Sequence, residues 1–431
     1  MMNKFGKQLA AWTFVSMTVL GTSFMNLTKI HAAEPEKLNT PVKSITPAAG
    51  TVVTLNQFVV MDQNSSAPVA KFVYTITGGE EEKDKNGNVT VYSGSDTTKV
   101  SGDLTKVSIS EAVFSATDKT YTAADATTNK DSVSVGSTQK YVKATFTVDL
   151  SSLTFNEPGK YRFKISQSAV KGANNLDLTN GAAVFTNNTA RYLDVTVLSD
   201  NSTTNDILTV DSKRTFLRTA AETNVENKTN GFAAEYNTSD LTISPTVSGN
   251  QSRTDDEFSY TIALFDCTLG TTLNITSTDS DSSNPTSFST VLINGSNYST
   301  TTTVKVKANQ KLTIHGIPKN CGYRISETAA EVKKLGYNTP TLVLEKSTGD
   351  TEYDSTNGPT GNKIGLDNYI TSYGITDFML TSTTDINLNY EKNGVIPTGI
   401  LVTVVPYASI ALAGMIGVIV FARRKKSSEE E

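Results

Sequence analysis

Two similar alternating hexapeptides occur in this chain, KFVYTI at residues 71–76 and EFSYTI at residues 257–262. In both copies, apolar or aromatic residues alternate with polar ones. A period of two is typical of a β-strand that turns one face toward a core. The repeated hexapeptide therefore predicts two similar β-structured units rather than one.

Two further landmarks repeat in the same order. GKYRFKISQ at residues 159–167 returns, shortened, as GYRISE at 322–327, and the stretch at 55–59 aligns with 241–247. No helical period persists, so we expect only short helices. The sequence predicts an all-β chain of two tandem sandwiches that join near residues 237–240. Further strands are predicted at residues 53–60, 70–76, 140–150, 190–198 and 207–210.

Composition excludes several classes of function. The net charge is −5 over 431 residues, which does not favour nucleic-acid binding. No Cys/His cluster predicts a metal site and no glycine-rich loop predicts a phosphate site, so we expect neither a metal nor a cofactor. One histidine, His315, falls between the two ends of the chain, and we interpret it as a residue of a strand surface. We therefore expect no enzymatic activity.

The N-terminus has the pattern of a signal peptide. Lys4 and Lys7 precede an apolar stretch at residues 9–27, and small residues then offer cleavage after Ala32 or Ala33. An uncleaved anchor is the alternative. Export removes residues 1–33 on this interpretation, and the proline-containing stretch 34–50 is predicted to be a flexible arm.

The C-terminus has three parts, residues 395–399 (VIPTG), an apolar run at 400–422 and the basic cluster 423–426 (RRKK). An apolar helix of that length would span about 34 Å, enough to cross the hydrocarbon core. The basic cluster would stop translocation and stay in the cytoplasm. A single-span membrane protein is one interpretation of residues 395–431.

This tail also resembles a Gram-positive sortase sorting signal. Its motif is similar to the (Glu/Val)-(Val/Ile)-Pro-Thr-Gly form of streptococcal backbone pilins and comprises Val395, Ile396, Pro397, Thr398 and Gly399. The resemblance implies that a sortase cysteine cuts between Thr398 and Gly399 and that the membrane helix is discarded.

The repeat resembles the tandem immunoglobulin-like domains of the same T-antigen pilin family, most specifically in EPGKYRFKIS (157–166) and IPKNCGYRISE (317–327). The resemblance implies an N-terminal immunoglobulin-like sandwich at residues 51–238 and a C-terminal one at 239–394. In this family an isopeptide bond between a Lys and an Asn, assisted by a Glu, typically braces each domain. The corresponding positions are Gln57, Gln167 and Asn237 in the first domain and Pro245, Glu327 and Tyr390 in the second. We therefore expect no such bond in the second domain, and none in the first.

The two cysteines offer another brace. Cys267 follows one predicted strand of the second domain, and Cys321 opens another. An exported chain with an even number of cysteines favours a disulfide. Two free buried thiols are the alternative.

The resemblance implies a fibre subunit that is covalently polymerised by a sortase. The acceptor would be a lysine near the end of the first domain, and we choose Lys228, then Lys213. Lys319 ranks third, because its IPKN context resembles a pilin motif of other fibres. Implied partners are a sortase, other copies of the chain, ancillary pilins, peptidoglycan and host surface ligands, at a Gram-positive cell wall. A monomeric wall-anchored adhesin is the alternative.

Overall fold

A computed structural model describes most of the region between the predicted signal peptide and the predicted sorting signal. The described residues are 44–178, 185–186, 190–202, 205–221, 227–278, 284–293, 295, 297–327, 329–347, 351–354, 358–359 and 374–394. The predicted signal peptide and the sorting signal at residues 395–431 lie outside them.

The first unit, which we call domain 1, ends with a strand at Tyr236. Besides short 3-10 helices (Leu104–Lys106, Ala173–Asn175, Ser212–Arg214), it contains α1 (Ala123–Asn129). Its strands are β1 (Ser44–Thr46), β2 (Ala48–Ala49), β3 (Val52–Asp62), β4 (Ala70–Gly78), β5 (Glu82–Lys83), β6 (Val89–Ser93), β7 (Val100–Ser101), β8 (Ser108–Ile109), β9 (Ala112–Phe114), β10 (Thr120–Tyr121), β11 (Gln139–Asp149), β12 (Thr154–Phe155), β13 (Gly159–Lys171), β14 (Phe185–Thr186), β15 (Arg191–Ser199), β16 (Asn205–Val210), β17 (Phe216–Arg218), β18 (Lys228–Thr229) and β19 (Gly231–Tyr236).

The second unit, domain 2, begins with a strand at Thr238 and contains α2 (Ala329–Leu335). Its strands are β20 (Thr238–Ser248), β21 (Glu257–Cys267), β22 (Thr272–Ser277), β23 (Ser287–Ser289), β24 (Val291–Leu292), β25 (Tyr298–Lys307), β26 (Leu312–Pro318), β27 (Gly322–Glu327), β28 (Thr341–Lys346), β29 (Thr351–Asp354), β30 (Gly358–Pro359), β31 (Gly374–Met379) and β32 (Thr384–Glu391).

Each domain is a sandwich of two main sheets. In domain 1 the orders are β10-β11-β3-β19-β14 and β1-β16-β15-β13-β4-β9. In domain 2 they are β23-β22-β26-β20-β32-β28-β29-β30 and β24-β25-β21-β27-β31. The inward faces form two separate apolar clusters, one per domain, because alternate residues of each strand point to opposite sides.

The strand register shows that the two domains repeat one arrangement. Tyr74 on β4 pairs with Gln167 on β13, and Tyr260 on β21 pairs with Glu327 on β27. In both domains the first long strand lies parallel to the last strand, β3 with β19 and β20 with β32. The landmarks found in the sequence therefore occupy equivalent places.

The all-β prediction is confirmed, and both α-helices have seven residues. One detail differs. Residues 44–49, assigned to a flexible arm, form β1 and β2, which pair with β16 and β12. Pro47 separates β1 from β2, and both are short edge strands, where a missing N–H is tolerated.

The domains meet end to end at the Asp62 end of β3 and the Thr238 end of β20. The hydroxyl of Ser65 lies 2.9 Å from that of Thr238, and the Val69 N–H donates to the Gly270 carbonyl at 2.7 Å. Leu269 of domain 2 packs into the domain 1 core. The opposite ends of the two domains therefore point away from each other.

No helix within the described residues is long and apolar enough to cross a membrane. The predicted span at 400–422 lies outside those residues.

Candidate functional site

Three kinds of site follow from the sequence: the positions that correspond to an isopeptide bond, the cysteine pair, and the lysines for linkage to another subunit. In domain 1, Gln57 points into the core because it shares the inward face of β3 with Leu55 and Val59. The Tyr74 hydroxyl donates to its Oε1 at 2.8 Å, and its Nε2 donates to the Phe58 carbonyl at 2.9 Å. A neutral amide with satisfied hydrogen bonds offers no nucleophile for cross-linking.

The assignment of Asn237 to this site is wrong. The residue of β19 that pairs with Gln57 is Phe232, whose ring lies 5.2 Å from that of Tyr74. Asn237 comes after the last residue of β19, at the junction of the domains. Alternation assigns a residue to a face of a strand but does not fix its offset along the neighbouring strand.

The domain 2 site contains a buried carboxyl at the end of a chain of two tyrosine hydroxyls. The Tyr390 hydroxyl donates to Glu327 Oε2 at 2.6 Å, and the hydroxyls of Tyr260 and Tyr390 are 2.8 Å apart. The ring of Phe258 stacks on Tyr390 at 3.9 Å between centroids. Burial raises the pKa of Glu327 to about 8, although the hydrogen bond from Tyr390 opposes the shift.

Among the described residues of domain 2, the positions that correspond to the nucleophilic amine and the amide substrate hold Pro245 and Tyr390. Pro245 is buried on β20 and pairs with Leu388, two residues before Tyr390. The cluster therefore has an acid that is protonated at neutral pH, and neither position that corresponds to a reactant of the isopeptide reaction holds a Lys or an Asn. Tyr74 and Tyr260 were not assigned to these sites from the sequence, although both belong to the repeated hexapeptide.

The disulfide between Cys267 and Cys321 is confirmed. The paired strands β21 and β27 bring the two residues together, since Phe265 pairs with Gly322. Both cysteines are fully buried at the end of domain 2 that faces domain 1. The bond closes a loop with a sequence separation of 54 residues.

A buried ionic network in domain 1 was not predicted. Arg162 is 1% exposed; its Nε donates to Asp194 Oδ1 at 2.7 Å, and its Nη2 contacts Glu82 at 3.1 Å. Arg218 donates to the other oxygen of Asp194 at 2.7 Å. No sequence signal marked Arg162 as buried, because the residues that cover it come from distant segments, including the carbonyl of Ala221.

His315 is not a surface residue, contrary to the prediction. Its side chain is buried, with Nδ1 2.6 Å from Asp240 Oδ2 and Nε2 2.8 Å from the Thr276 hydroxyl. Across the residues that the structure describes, no group of three or more His, Cys, Asp or Glu residues is arranged to hold a metal ion.

The three candidate lysines lie in two different regions. Lys228 is exposed on β18, with its Nζ 3.6 Å from the centroid of the Phe216 ring. Lys213 is exposed in a neighbouring 3-10 turn. Lys319 is in the turn from β26 to β27, next to Pro318, which pairs with Thr238 at the domain junction.

Lys228 lies in the half of domain 1 that is farther from domain 2. The carbonyl of Asn230, two residues later, accepts from the Asn56 N–H on β3. Asn56 is six residues from Asp62, or about 20 Å along the strand. Lys213 belongs to the same region, because the adjacent Ser212 lines one groove together with Thr229 and Asn230.

The sorting motif at residues 395–399 lies outside the described residues, but the described chain ends next to it. Gly394 donates to Asn250 Oδ1 at 2.8 Å, beyond the Ser248 end of β20. That end of β20 is about 35 Å from Thr238, since the strand has 11 residues. The tail therefore leaves domain 2 at the end opposite to domain 1.

A family described as a domain of unknown function (DUF7601) matches residues 239–363. No curated protein matches the chain. Among solved structures, the chain is similar to the major pilin from Streptococcus pyogenes, with 15% identity and a TM-score of 0.46 over 80% of this chain and 99% of that one. It is also similar to the T3.2 major pilin protein from Streptococcus pyogenes, with 16% identity and a TM-score of 0.45 over 80% of this chain and 99% of that one. A pilus-presented adhesin matches with 16% identity and a TM-score of 0.22 over 47% of this chain and 37% of that one.

Proposed function

We propose that this chain is the backbone subunit of a covalent surface fibre. A sortase cysteine would attack the Thr398 carbonyl carbon, breaking the Thr398–Gly399 bond, and Gly399 would leave with a free amino group. The Lys228 Nζ of the next subunit would then attack the thioester, releasing the cysteine and forming an amide. One amide is broken and one is formed, so the exchange needs no external energy source.

The observation that carries this proposal is the position of the two reacting ends. The described chain ends at Gly394 beyond the far end of domain 2, whereas Lys228 is in the distant half of domain 1. Residues 395–398 reach at most about 14 Å. They cannot cover the roughly 35 Å of β20 and the further 20 Å of β3 that separate them from their own Lys228.

A tail that reaches only another copy makes a heterologous contact. Such head-to-tail contacts do not close, so they build a linear fibre. Lys319 fits this arrangement less well, because it lies beside the domain junction rather than toward an end. Lys213 lies in the same half as Lys228 and is second.

The last subunit would be transferred to peptidoglycan, with ancillary pilins added to the same fibre. The fibre would then support adhesion and colonisation at the surface of a Gram-positive cell, after transient insertion of residues 400–422 in the membrane.

The test is an immunoblot of cell-wall extracts for a ladder resistant to sodium dodecyl sulfate. We expect a ladder from the unsubstituted chain and its loss on deletion of residues 395–399. Lys228→Arg should also abolish the ladder, while the matched control Lys213→Arg should leave it intact. A single wall-linked band from the unsubstituted chain would contradict the proposal and favour a monomeric wall-anchored adhesin.

A further inference from the structure

The first and last strands pair over different lengths in the two domains. In domain 2, β32 runs beside β20 at eight consecutive positions, from Leu241 to Ser248. In domain 1, β19 runs beside β3 at five positions, from Asn56 to Val60. The part of β3 before this pairing, from Val52 to Leu55, has no parallel neighbour among the described strands, whereas β20 of domain 2 has one.

The backbone N–H and C=O of Thr54 point toward the side of β3 opposite β11, the vacant side, where no described strand pairs with residues 52–55. Thr54 pairs with Thr147 of β11, but the Thr147 amide and carbonyl both bond Ser110 on the far side of β11. Thr54 and Thr147 are therefore a non-hydrogen-bonded pair, and the Thr54 N–H and C=O point away from β11. The Asn56 N–H agrees with this alternation, since it bonds Asn230 on the same side.

The vacant side is a groove of about 340 Å³ between β3 and the segments 212–217 and 229–230. Its walls include Val52, which is 56% exposed, and Phe216, the ring under the Lys228 amine. The groove thus combines an open strand edge, apolar walls and the candidate acceptor lysine.

We infer that residues 395–398 of a second copy occupy this groove as an added strand, parallel to β3 and in line with β19. This inference rests on the proposed function and specifies how the tail docks. A tail that enters beside Val52 and runs toward Asn56 brings its last residue, Thr398, to the end of the groove next to Thr229, the neighbour of Lys228.

The length and chemistry of the tail match the groove. Four residues, 395–398, correspond to the four open positions from Val52 to Leu55. Val395 and Ile396 are β-branched and apolar, as suits a strand against apolar walls. Pro397 has no N–H, so it takes a position that points away from β3, and Ile396 and Thr398 then bond to the strand.

Hydrogen exchange resolved to single amides tests the inference, with fibres compared with a secreted chain that lacks residues 395–431. The Thr54 amide should exchange at least tenfold more slowly in fibres. The amides of Val53 and Leu55 are internal controls, because they face β11 and should be protected in both samples. Equal exchange rates of the Thr54 amide in the two samples would overturn the inference. The proposed function would still stand in that case if the immunoblot shows a ladder.

Two other results would also contradict the inference. Protection of Thr54 already in the secreted chain would assign the groove to the chain's own residues before Ser44. Absence of a ladder from the unsubstituted chain would refute the proposed function and the second-copy occupant together.

A substitution gives a second readout. Thr54→Pro removes the N–H that faces the groove and should lower the ratio of polymer to monomer about fivefold, the effect of one hydrogen bond. The matched control Thr54→Val keeps that N–H and should leave the ratio unchanged. An unchanged ratio in a folded Thr54→Pro chain would contradict the inference, and the exchange experiment decides if that variant does not fold.

Discussion

Domains 1 and 2 have a tyrosine at equivalent positions of equivalent strands, but the two hydroxyls have different hydrogen-bond partners. Tyr74 donates to the neutral amide of Gln57. Tyr260 contacts Tyr390, which donates to the carboxyl of Glu327. One domain is therefore insensitive to pH at this point, and the other contains a titratable group with a strongly raised pKa.

The stabilising cross-connections also differ. Domain 2 has the Cys267–Cys321 disulfide, whereas domain 1 has the buried pair Arg162–Asp194. The same sandwich thus accepts a covalent brace in one copy and an ionic brace in the other. Because each brace lies within one domain, each substitution below should shift the unfolding of one domain more than that of its neighbour.

The largest effect is expected from the disulfide. Replacing Cys267 and Cys321 together by Ser should lower the free energy of unfolding of domain 2 by about 4 kcal/mol, because the unfolded chain gains the entropy of an open loop of 54 residues. Calorimetry measures the change. A shift confined to domain 1 would contradict the account. Mass spectrometry of the non-reduced mature chain should show the loss of two hydrogens and no loss of ammonia.

The next effect is a pH dependence of domain 2. The pKa of Glu327 is about 8 in the folded domain against an ordinary value of 4.5, so the unfolded chain loses its proton first as the pH rises. Stability is therefore highest below pH 4.5 and falls as the pH approaches 8. Between pH 5 and pH 8 the loss should be about 3 to 4 kcal/mol.

Urea titrations of the unsubstituted chain and of Glu327→Gln at pH 5 and pH 8 measure this loss in the free energy of unfolding. Glutamine keeps the size of the side chain and cannot ionise, so the variant should lose less stability over the same range. Identical pH dependence of the two proteins would show that Glu327 is not the titrating group.

A third effect is expected from the ionic network of domain 1. Arg162→Ala should destabilise domain 1 by about 3 kcal/mol, because it leaves Asp194 buried with Arg218 as the remaining partner. Arg214→Ala is the matched control, since the Arg214 side chain is exposed and its ion pair with Asp211 should contribute less than about 0.5 kcal/mol. Equal effects of the two substitutions in thermal unfolding would refute the importance of the buried pair.

The smallest effect compares the two tyrosines directly. Tyr74→Phe removes the donor to Gln57 and should cost about 1 kcal/mol at any pH between 5 and 8. Tyr260→Phe removes the contact to Tyr390, and its cost should vary with pH because Tyr390 also contacts Glu327. Chemical denaturation of both variants at pH 5 and pH 8 measures the two losses in free energy of unfolding. A loss for Tyr74→Phe that changes with pH would be inconsistent with a neutral site.

Much of the fold was predictable because it depends on local alternation. The period-two pattern correctly predicted the strands around Tyr74 and Tyr260, and the cysteine count predicted the disulfide. The equivalence of Gln167 and Glu327 also agrees with the strand register. These features depend on which face a residue occupies, and alternation specifies that.

The errors concern contacts between distant segments. Asn237 was chosen instead of Phe232, because the offset between β3 and β19 is set by the chain's crossing at Asn230 and not by either strand alone. Arg162 and His315 are buried because remote carboxylates, those of Asp194 and Asp240, satisfy them. The pairing of residues 44–49 likewise depends on β16 and β12, which follow more than 100 residues later.

The proposed function requires that Thr398 of one copy is joined to a lysine in the distant half of domain 1 of the next copy. Mass spectrometry of protease-digested fibres tests it most directly. We expect a branched peptide in which the Thr398 carbonyl forms an amide with Lys228 Nζ. Fibres with Thr398 joined at Lys319, or chains with Thr398 joined to peptidoglycan alone, would contradict the account.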